Sequence, residues 1–468
     1  MISLRADRLA DLVSGTVATG DGTRQFAGVS TDSRTVKPGE LFIAIRGEKH
    51  DGHRFLTQAA QRGAAAVLVD NEYAQLVSGA FPDNVVVVAV PDTHEGMIAL
   101  AHAYLRTLEV TRIGITGSNG KTTTKEFAYR LLKAISGNVY RSPGNFNNLF
   151  GIPLSLFAMP QTTRLAVLEM GISTPGEMAR LAQIVQPDIV AVTNVSPTHL
   201  EFLGTVEAVA REKLELHKHA APDAPLVINA DDDLLMREAK AVTDRIVTFG
   251  VKNDADFKPE SIECTEIGSA VTINGDRFEI PLFGDYQVYN LLAAYAVIRT
   301  LGYDFSRVDI EAIDLVTAPM RGEVIHVRGV TIVADCYNAN PESVRAGLQS
   351  FNDQANRECA AGGRRIVVLG DMLELGESEV EYHQAVGRQL AGMKLDMAVL
   401  VGPLSKYAAE QAVASGMNAG SVRHMNSADE CAAMLAGELH EEDTVYLKGS
   451  RGVGLEAVIR RWQGEEKA

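Results

Sequence analysis

The stretch GITGSNGKTTTKE, residues 114–126, holds the parts of a phosphate-binding loop at an unusual spacing. The pattern G-x-x-x-x-G-K-[ST] calls for glycine at position 115, where this chain has Ile115. The physical ingredients are nonetheless complete. The run TRIGIT predicts a strand closing at Thr116, Gly117 and Gly120 predict a tight turn, and KTTTKEFAYRLLKAI predicts a helix opened by Lys121 and Thr122. Unpaired N–H groups and the positive dipole end of such a helix favour phosphate. Gly117, Ser118, Asn119, Gly120, Lys121, Thr122 and Thr123 are therefore candidate nucleotide-binding residues. Lys121 would reach the β and γ phosphates, and the Thr122 hydroxyl would ligate magnesium. The plain alternative is a glycine turn ahead of an ordinary helix.

A phosphate loop does not by itself separate a kinase from an ATPase or a ligase, so the other strand ends matter. Glu169 closes LAVLEMG, His199 follows DIVAVTN within SPTHLEFLG, and Lys213 lies in the helical segment VAREKLELHKH. Taken singly, each has another reading: a rim carboxylate, a core histidine with satisfied hydrogen bonds, a lysine on a solvated face. The aspartates 231–233 read as a turn and a helix cap rather than a metal site.

These residues need a scaffold that brings strand ends together. Apolar runs such as LAVLEMG, DIVAVTNV and PLVINADDD alternate with helical segments, which predicts a mostly parallel sheet with ligands at the carboxyl ends of its strands. At 468 residues the chain exceeds one ordinary core, and about 150 residues per domain suggests three. The expected fold class is α/β: a small α/β domain over residues 1–98, a central P-loop domain over 99–321, and a Rossmann-like α/β domain over 322–468.

Composition narrows the partners. With 46% hydrophobic and 22% charged residues the chain reads as globular, and a net charge of -16 argues against a nucleic-acid or anionic-membrane binder. An anionic ligand must then meet a local basic site. Cys264, Cys336, Cys359 and Cys431 are scattered without a C-x-x-C pair, which suits a reducing compartment. The opening MISLRADRLADLVSG lacks the apolar core of a signal peptide, and runs such as VVVVAV are strand-sized, so a cytoplasmic protein with no membrane insertion is expected. A monomer is expected as well.

The loop and its companions together resemble the Mur ligase family, whose ATP-dependent members build the peptide of bacterial cell-wall precursors. The family loop reads G-x-T-G-[ST]-N-G-K-T, and GITGSNGKT matches it throughout, so Ile115 is the family's own spacing. GNFNNLFGIPLSL, LEMG, TNVSPTHLEFLG and NADDD extend the likeness. The resemblance implies that Thr122 and Glu169 hold one magnesium ion and His199 a second. It further implies that Lys213 is carbamylated, which turns a cation unable to ligate metal into a carboxylate-like group supporting the metal site. Asn290, Arg321 and Asp335 match family residues that meet ATP. In GDYQVYNLLAAYAV, Tyr286 and Gln287 stand where the family usually carries His-Asn.

Members that add a diamino acid typically carry Asp-Asn-Pro-Arg in the third domain, and this chain has none. DCYNANPESVRAGL, VVLGDMLELGESE with His383, and LKGSRGVGLE instead look like members that join D-alanyl-D-alanine to a UDP-N-acetylmuramoyl-tripeptide. This implies Tyr337, Asn338 and Asn340 as substrate-binding residues, with Asn145, Asn147 and Asn148 presenting amides from the central domain. Ser33, Arg34, Lys49 and His53, in STDSRTVKPGELFIAIRGEKHDGHRF, would serve the uridine-nucleotide end. The implied reaction activates a carboxylate as an acyl phosphate, with Lys121, His199 and Lys213 as the catalytic group. Two rivals are a sister ligase adding another amine and a nucleotide-binding regulator without catalysis.

Overall fold

The apolar runs become the inner strands of three sheets in a computed structural model that describes residues 2–47, 50–76, 81, 84–265, 268–355 and 363–464. The central sheet is parallel throughout, in the spatial order Ile246–Phe249, Leu226–Asn229, Ile189–Val192, Thr111–Thr116, Leu165–Glu169, Val139–Arg141. Both faces are covered. Helices Lys121–Ser136 and Tyr286–Thr300 bury Phe127, Leu131, Leu291 and Tyr295 against one face, while Leu156, Leu181 and Leu214 cover the other. A sheet buried on both faces needs apolar residues at every position, which is why these strands read as unbroken runs. In the register, Glu169 stands beside Ile115 and Val192 beside Thr116, so three strand ends meet where the glycine loop begins.

The third sheet runs Glu323–Val327, Val330–Ala334, Thr444–Lys448, Arg365–Gly370, Met397–Val401, Val422–Met425. Only its first pairing is antiparallel. A smaller five-stranded sheet forms the first domain. The central region also holds an antiparallel sheet of Ser261–Cys264, Ser269–Ile273 and Asp276–Ile280, which the parallel expectation did not include. Its second turn is Asn274–Gly275, with φ of 51° and 81°, the left-handed pair that a tight hairpin requires.

The boundary expected near residue 98 falls inside the helix Thr93–Leu105. Asp92 caps this helix by accepting from Glu95 N at 2.9 Å. Thr93 bonds back to the first sheet through Asp70 and Ala44, whereas His102 and Tyr104 bond forward to the Ile184 and Met159 carbonyls of the central domain. Met97, Leu100, Ala101 and Leu105 lie in one apolar core with Val88 of the first sheet and Ile152 and Leu181 of the central domain. A helix shared by two cores carries no break in pattern at the junction, so composition does not mark it. The boundary expected near residue 321 falls in a loop, followed by the strand Glu323–Val327. Leu100→Ala is expected to destabilise the protein by about 2–5 kcal/mol, read from the guanidinium unfolding midpoint, with the first and central domains losing structure together.

Candidate functional site

Two close approaches fix the phosphate loop. Gly117 has φ +148° and a Cβ there would lie 1.9 Å from the Thr193 hydroxyl; Gly120 has φ +81° and a Cβ there would lie 2.1 Å from Asn290 Oδ1. Any side chain at either position would push the loop away from its neighbours. Ser118 N donates to the Asn194 carbonyl at 2.9 Å and Asn119 N to Asn194 Oδ1 at 3.0 Å, so the loop is laced to the end of the strand Ile189–Val192. Its backbone thereby enters the helix Lys121–Ser136 in a fixed direction.

Two lysines converge on one carbonyl behind this loop. Lys121 Nζ donates to the Gly117 and Ser118 carbonyls at 2.8 and 3.1 Å, and Lys213 Nζ donates to the Gly117 carbonyl at 3.0 Å. Lys213 comes from the helix Val206–Lys218, is 1% exposed, and has no carboxylate ion pair among the described residues. Burial, with the Lys121 charge second, holds its amine well below the ordinary lysine range, against a smaller opposing pull from Glu212. Burial also lowers Lys121, with Glu169 opposing and Arg321 adding to the effect.

Glu169 stands at the mouth of the loop. It accepts from the Thr122 hydroxyl at 2.8 Å and from Asn147 Nδ2 at 2.9 Å. A hydroxyl and a carboxylate side by side are hard oxygen donors, few in number, which suits magnesium because that ion keeps several waters. No group of three or more His, Cys, Asp or Glu gathers as a metal cluster among the described residues. His199 lines the same cleft in a left-handed conformation, φ 55°, with its Nδ1 2.7 Å from Glu374 Oε2 of the third domain.

The cleft is about 1260 Å³ and is walled by both the central and the third domain. Ser118 to Thr123, Asn145, Asn147, Asn148, Glu169, His199, Asn290, Arg321, Asp335, Tyr337, Asn338 and Asn340 all line it. Gly117 and Lys213 sit just behind it. Asn148 Oδ1 also accepts from Gly151 N, the first residue of the helix Gly151–Ala158, at 2.8 Å. From the third domain, Arg321 lays its guanidinium 3.9 Å from the Tyr337 ring centre, and its Nε is buried without a hydrogen-bond partner. Asn340 reaches across to the loop, donating to Asn119 Oδ1 at 2.6 Å. Asp335 is committed within the protein, accepting from Lys448 Nζ at 2.8 Å, Tyr446 OH at 3.0 Å and Tyr286 OH at 3.1 Å. Burial, reinforced by Asp335, pushes the Tyr286 and Tyr446 phenols well above their usual range, so both remain neutral donors.

Ser33, Arg34 and His53 of the first domain do not line this cleft. His53 is buried with both ring nitrogens engaged, Nδ1 lying 2.7 Å from Asp51 Oδ1 and Nε2 accepting from Asp70 N at 3.0 Å, and it stacks on Tyr73. It is a strut of the first domain. Ser33 bonds Gln58 at 2.7 Å, and Arg34 is an exposed partner of Asp32 at 2.7 Å. Lys49 lies outside the described residues. In the third domain His383 is likewise internal, bonded to Met372 N and the Glu379 carbonyl. Among the aspartates, Asp232 caps the helix Asp233–Lys240, and Asp231 gathers the N–H groups of residues 251–253.

Reading the sequence missed Lys125. It is fully buried, donates to the Ser142 and Gly144 carbonyls at 3.0 and 2.9 Å, and lies 3.5 Å from both Glu126 and Glu169. It thus ties the phosphate-loop helix to the asparagine loop and to the carboxylate at its mouth. Its place four residues after Lys121, on the same helical face, was an available signal. Lys125→Met keeps the volume of the stem, leaves the Ser142 and Gly144 carbonyls without this donor and removes the cation between Glu126 and Glu169. It is expected to cost about 3–5 kcal/mol in guanidinium denaturation; a loss below about 1 kcal/mol, the size of a surface pair, would show that the ammonium holds nothing in place.

With the geometry described, comparison with known proteins is direct. The Mur ligase family catalytic domain matches residues 25–111, the Mur ligase middle domain residues 115–298, and the Mur ligase glutamate ligase domain residues 320–451. The UDP-N-acetylmuramoyl-tripeptide–D-alanyl-D-alanine ligase of Bacillus subtilis is 34% identical over 98% of this chain and 98% of its own. Among solved structures, MurF from Acinetobacter baumannii aligns with a TM-score of 0.86 at 26% identity, covering 99% of each chain. MurF ligase from Thermotoga maritima, in complex with ADP, aligns with a TM-score of 0.80 at 30% identity, covering 94% of this chain and 97% of that one. Three family domains in sequence and a relative alike along nearly its whole length place the chain in the Mur ligase family.

Proposed function

We infer that this chain is an ATP-dependent ligase that joins D-alanyl-D-alanine to UDP-N-acetylmuramoyl-tripeptide, giving the UDP-muramoyl-pentapeptide precursor of peptidoglycan with ADP and phosphate. The observation that carries the reading is the single cleft in which the phosphate loop faces Arg321, Tyr337 and Asn340 across the domain boundary. Relatives bearing that activity in their names match nearly end to end. An unpaired buried guanidinium nitrogen at Arg321 is what a phosphate oxygen would satisfy. A cytoplasmic location is the reading that fits a nucleotide-linked substrate, and among the described residues no helix is long and apolar enough to cross a membrane.

The reaction asks for charge neutralisation and alignment more than for a protein nucleophile. The tripeptide's terminal carboxylate oxygen bonds to the γ phosphorus of ATP as the bond to the β–γ bridging oxygen breaks, leaving ADP and an acyl phosphate. The dipeptide amine then adds to the acyl carbon, loses a proton, and expels inorganic phosphate as the amide forms. Lys121 and the amides of residues 117–123 hold the phosphates in line, with Arg321 approaching from the opposite wall. Magnesium held by Thr122 and Glu169, and a second ion held by His199, would supply charge neutralisation at the phosphates. Lys213 is the candidate carbamate: its amine adds to carbon dioxide, forming an N–C bond and releasing a proton, and the product is an anion suited to orient metal ligands. Water must be kept from the acyl phosphate until the amine arrives, a task for a cleft closed from both sides.

Incubation with ATP, magnesium and the UDP-tripeptide tests the assignment by product mass and phosphate release. Product with D-alanyl-D-alanine alone is the expected result; product with meso-diaminopimelate instead would point to a sister ligase, and none with any amine would overturn the enzymatic reading. Lys121→Ala is expected to abolish turnover while retaining the native circular-dichroism spectrum, and near-wild-type turnover would remove the loop from the mechanism. Lys213→Ala is expected to lose activity and regain part of it with added short carboxylates, whereas an unchanged rate would refute a carbamate there.

A further inference from the structure

Tyr286 and Gln287 both make contacts at the domain boundary. They open the helix Tyr286–Thr300 of the central domain. The Tyr286 hydroxyl donates across the boundary to Asp335 Oδ2 at 3.1 Å, joining Lys448 and Tyr446 on that carboxylate. Gln287 is 1% exposed and bonds in opposite directions, its Nε2 also reaching the Phe283 carbonyl at 3.5 Å. Its Nε2 donates to the Arg321 carbonyl at 3.1 Å, and its Oε1 accepts from Asn290 Nδ2 at 2.8 Å. Asn290 in turn is the residue pressed against Gly120 of the phosphate loop, and its Oδ1 accepts from the Thr124 hydroxyl at 3.4 Å. An unbroken line of contacts therefore runs from the phosphate loop through Asn290 and Gln287 to the backbone of Arg321.

That backbone is the crossing between domains. Met320 and Gly322, either side of Arg321, have φ of 62° and 81°. A Cβ at Gly322 would lie 2.7 Å from the Phe283 carbonyl and 2.9 Å from Gln287 Nε2, so the crossing is pressed directly onto the start of this helix. Phe283 N donates to the Gly322 carbonyl at 2.8 Å, and the Phe283 ring packs into the third-domain core, 5.4 Å from the Tyr446 ring.

We propose that Tyr286 and Gln287 are positioning residues: a two-point clasp that sets the seat of the third domain relative to the phosphate loop, and with it the reach of Arg321 toward the nucleotide phosphates. The clasp deepens the ligase reading and rests on it for its catalytic consequence, while its geometric consequence can be measured separately. Gln287→Met keeps volume and removes all three side-chain bonds; Tyr286→Phe keeps the ring and removes one donor from Asp335, which retains Lys448 and Tyr446.

The test combines steady-state kinetics, equilibrium binding of a fluorescent ATP analogue, and solution scattering of the full chain. Gln287→Met is expected to raise the KM for ATP and the Kd for the analogue about tenfold, the worth of roughly one well-placed hydrogen bond. The KM for UDP-tripeptide should stay within about twofold, and the scattering should broaden toward larger dimensions. Tyr286→Phe should shift in the same direction by a smaller factor, and it carries the test if Gln287→Met does not fold. Wild-type ATP affinity and scattering in both variants would overturn the clasp, and so would an equal loss toward both substrates, which marks general destabilisation. If wild-type protein ligates no amine, the ligase reading fails, and the clasp is then decided by analogue binding and scattering alone.

Discussion

Two ammonium groups share the carbonyl of Gly117, and much of the site follows from that crowding. Lys121 and Lys213 approach the same oxygen from different helices in a buried place, each raising the cost of the other's charge. In a chain with a net charge of -16 this is a deliberate local reversal of sign, with Arg321 adding a third cation from the opposite wall. Such a cluster is unfavourable by itself and becomes favourable around a polyphosphate, so affinity for the nucleotide is prepared by strain among the groups that await it. Carbamylation of Lys213, proposed above, would end that competition and turn a repelled neighbour into a counter-charge.

The scaffold meets this demand with stiffness. Three parallel strands end side by side, two glycines let the loop lie flat on Thr193 and Asn290, and a buried lysine braces the carboxylate at the mouth. None of these elements can shift far without opening a void or orphaning a buried polar group. The third domain is attached differently, through a few specific contacts that include Asn119 with Asn340 and His199 with Glu374. A rigid cradle with a separately attached wall suits chemistry that must admit three substrates and then exclude water.

Legibility followed burial. The inner strands of the central sheet, such as Leu165–Glu169 and Ile189–Val192, are buried at every position and were visible as apolar runs. Edge strands such as Val139–Arg141, Ile246–Phe249 and Val422–Met425 are half-buried, carry mixed residues, and gave no periodic signal. The Asn274–Gly275 hairpin was legible by its turn chemistry but passed unread. At the site, the loop stood out because residue type and local order coincide there, whereas Glu169 and Lys213, each with a plain alternative taken singly, were picked out through the family resemblance. His53 was a candidate because sequence shows a polar side chain and not the Asp51 carboxylate and the Asp70 N–H that engage its two ring nitrogens. Lys125, and the cross-boundary bonds of Tyr286, depend on what distant segments bring to them, which no local pattern encodes.

The helix Thr93–Leu105 carries a practical meaning for anyone wishing to dissect or recombine this molecule. Its apolar face is mortared into two domains at once, so a cut anywhere along it would leave a greasy flank on one fragment and a hole in the other. The first domain is accordingly not a detachable head. A chimera exchanging it must carry the helix and match the central-domain surface beneath, and a seam placed beyond residue 105 respects the architecture where one at residue 98 severs it.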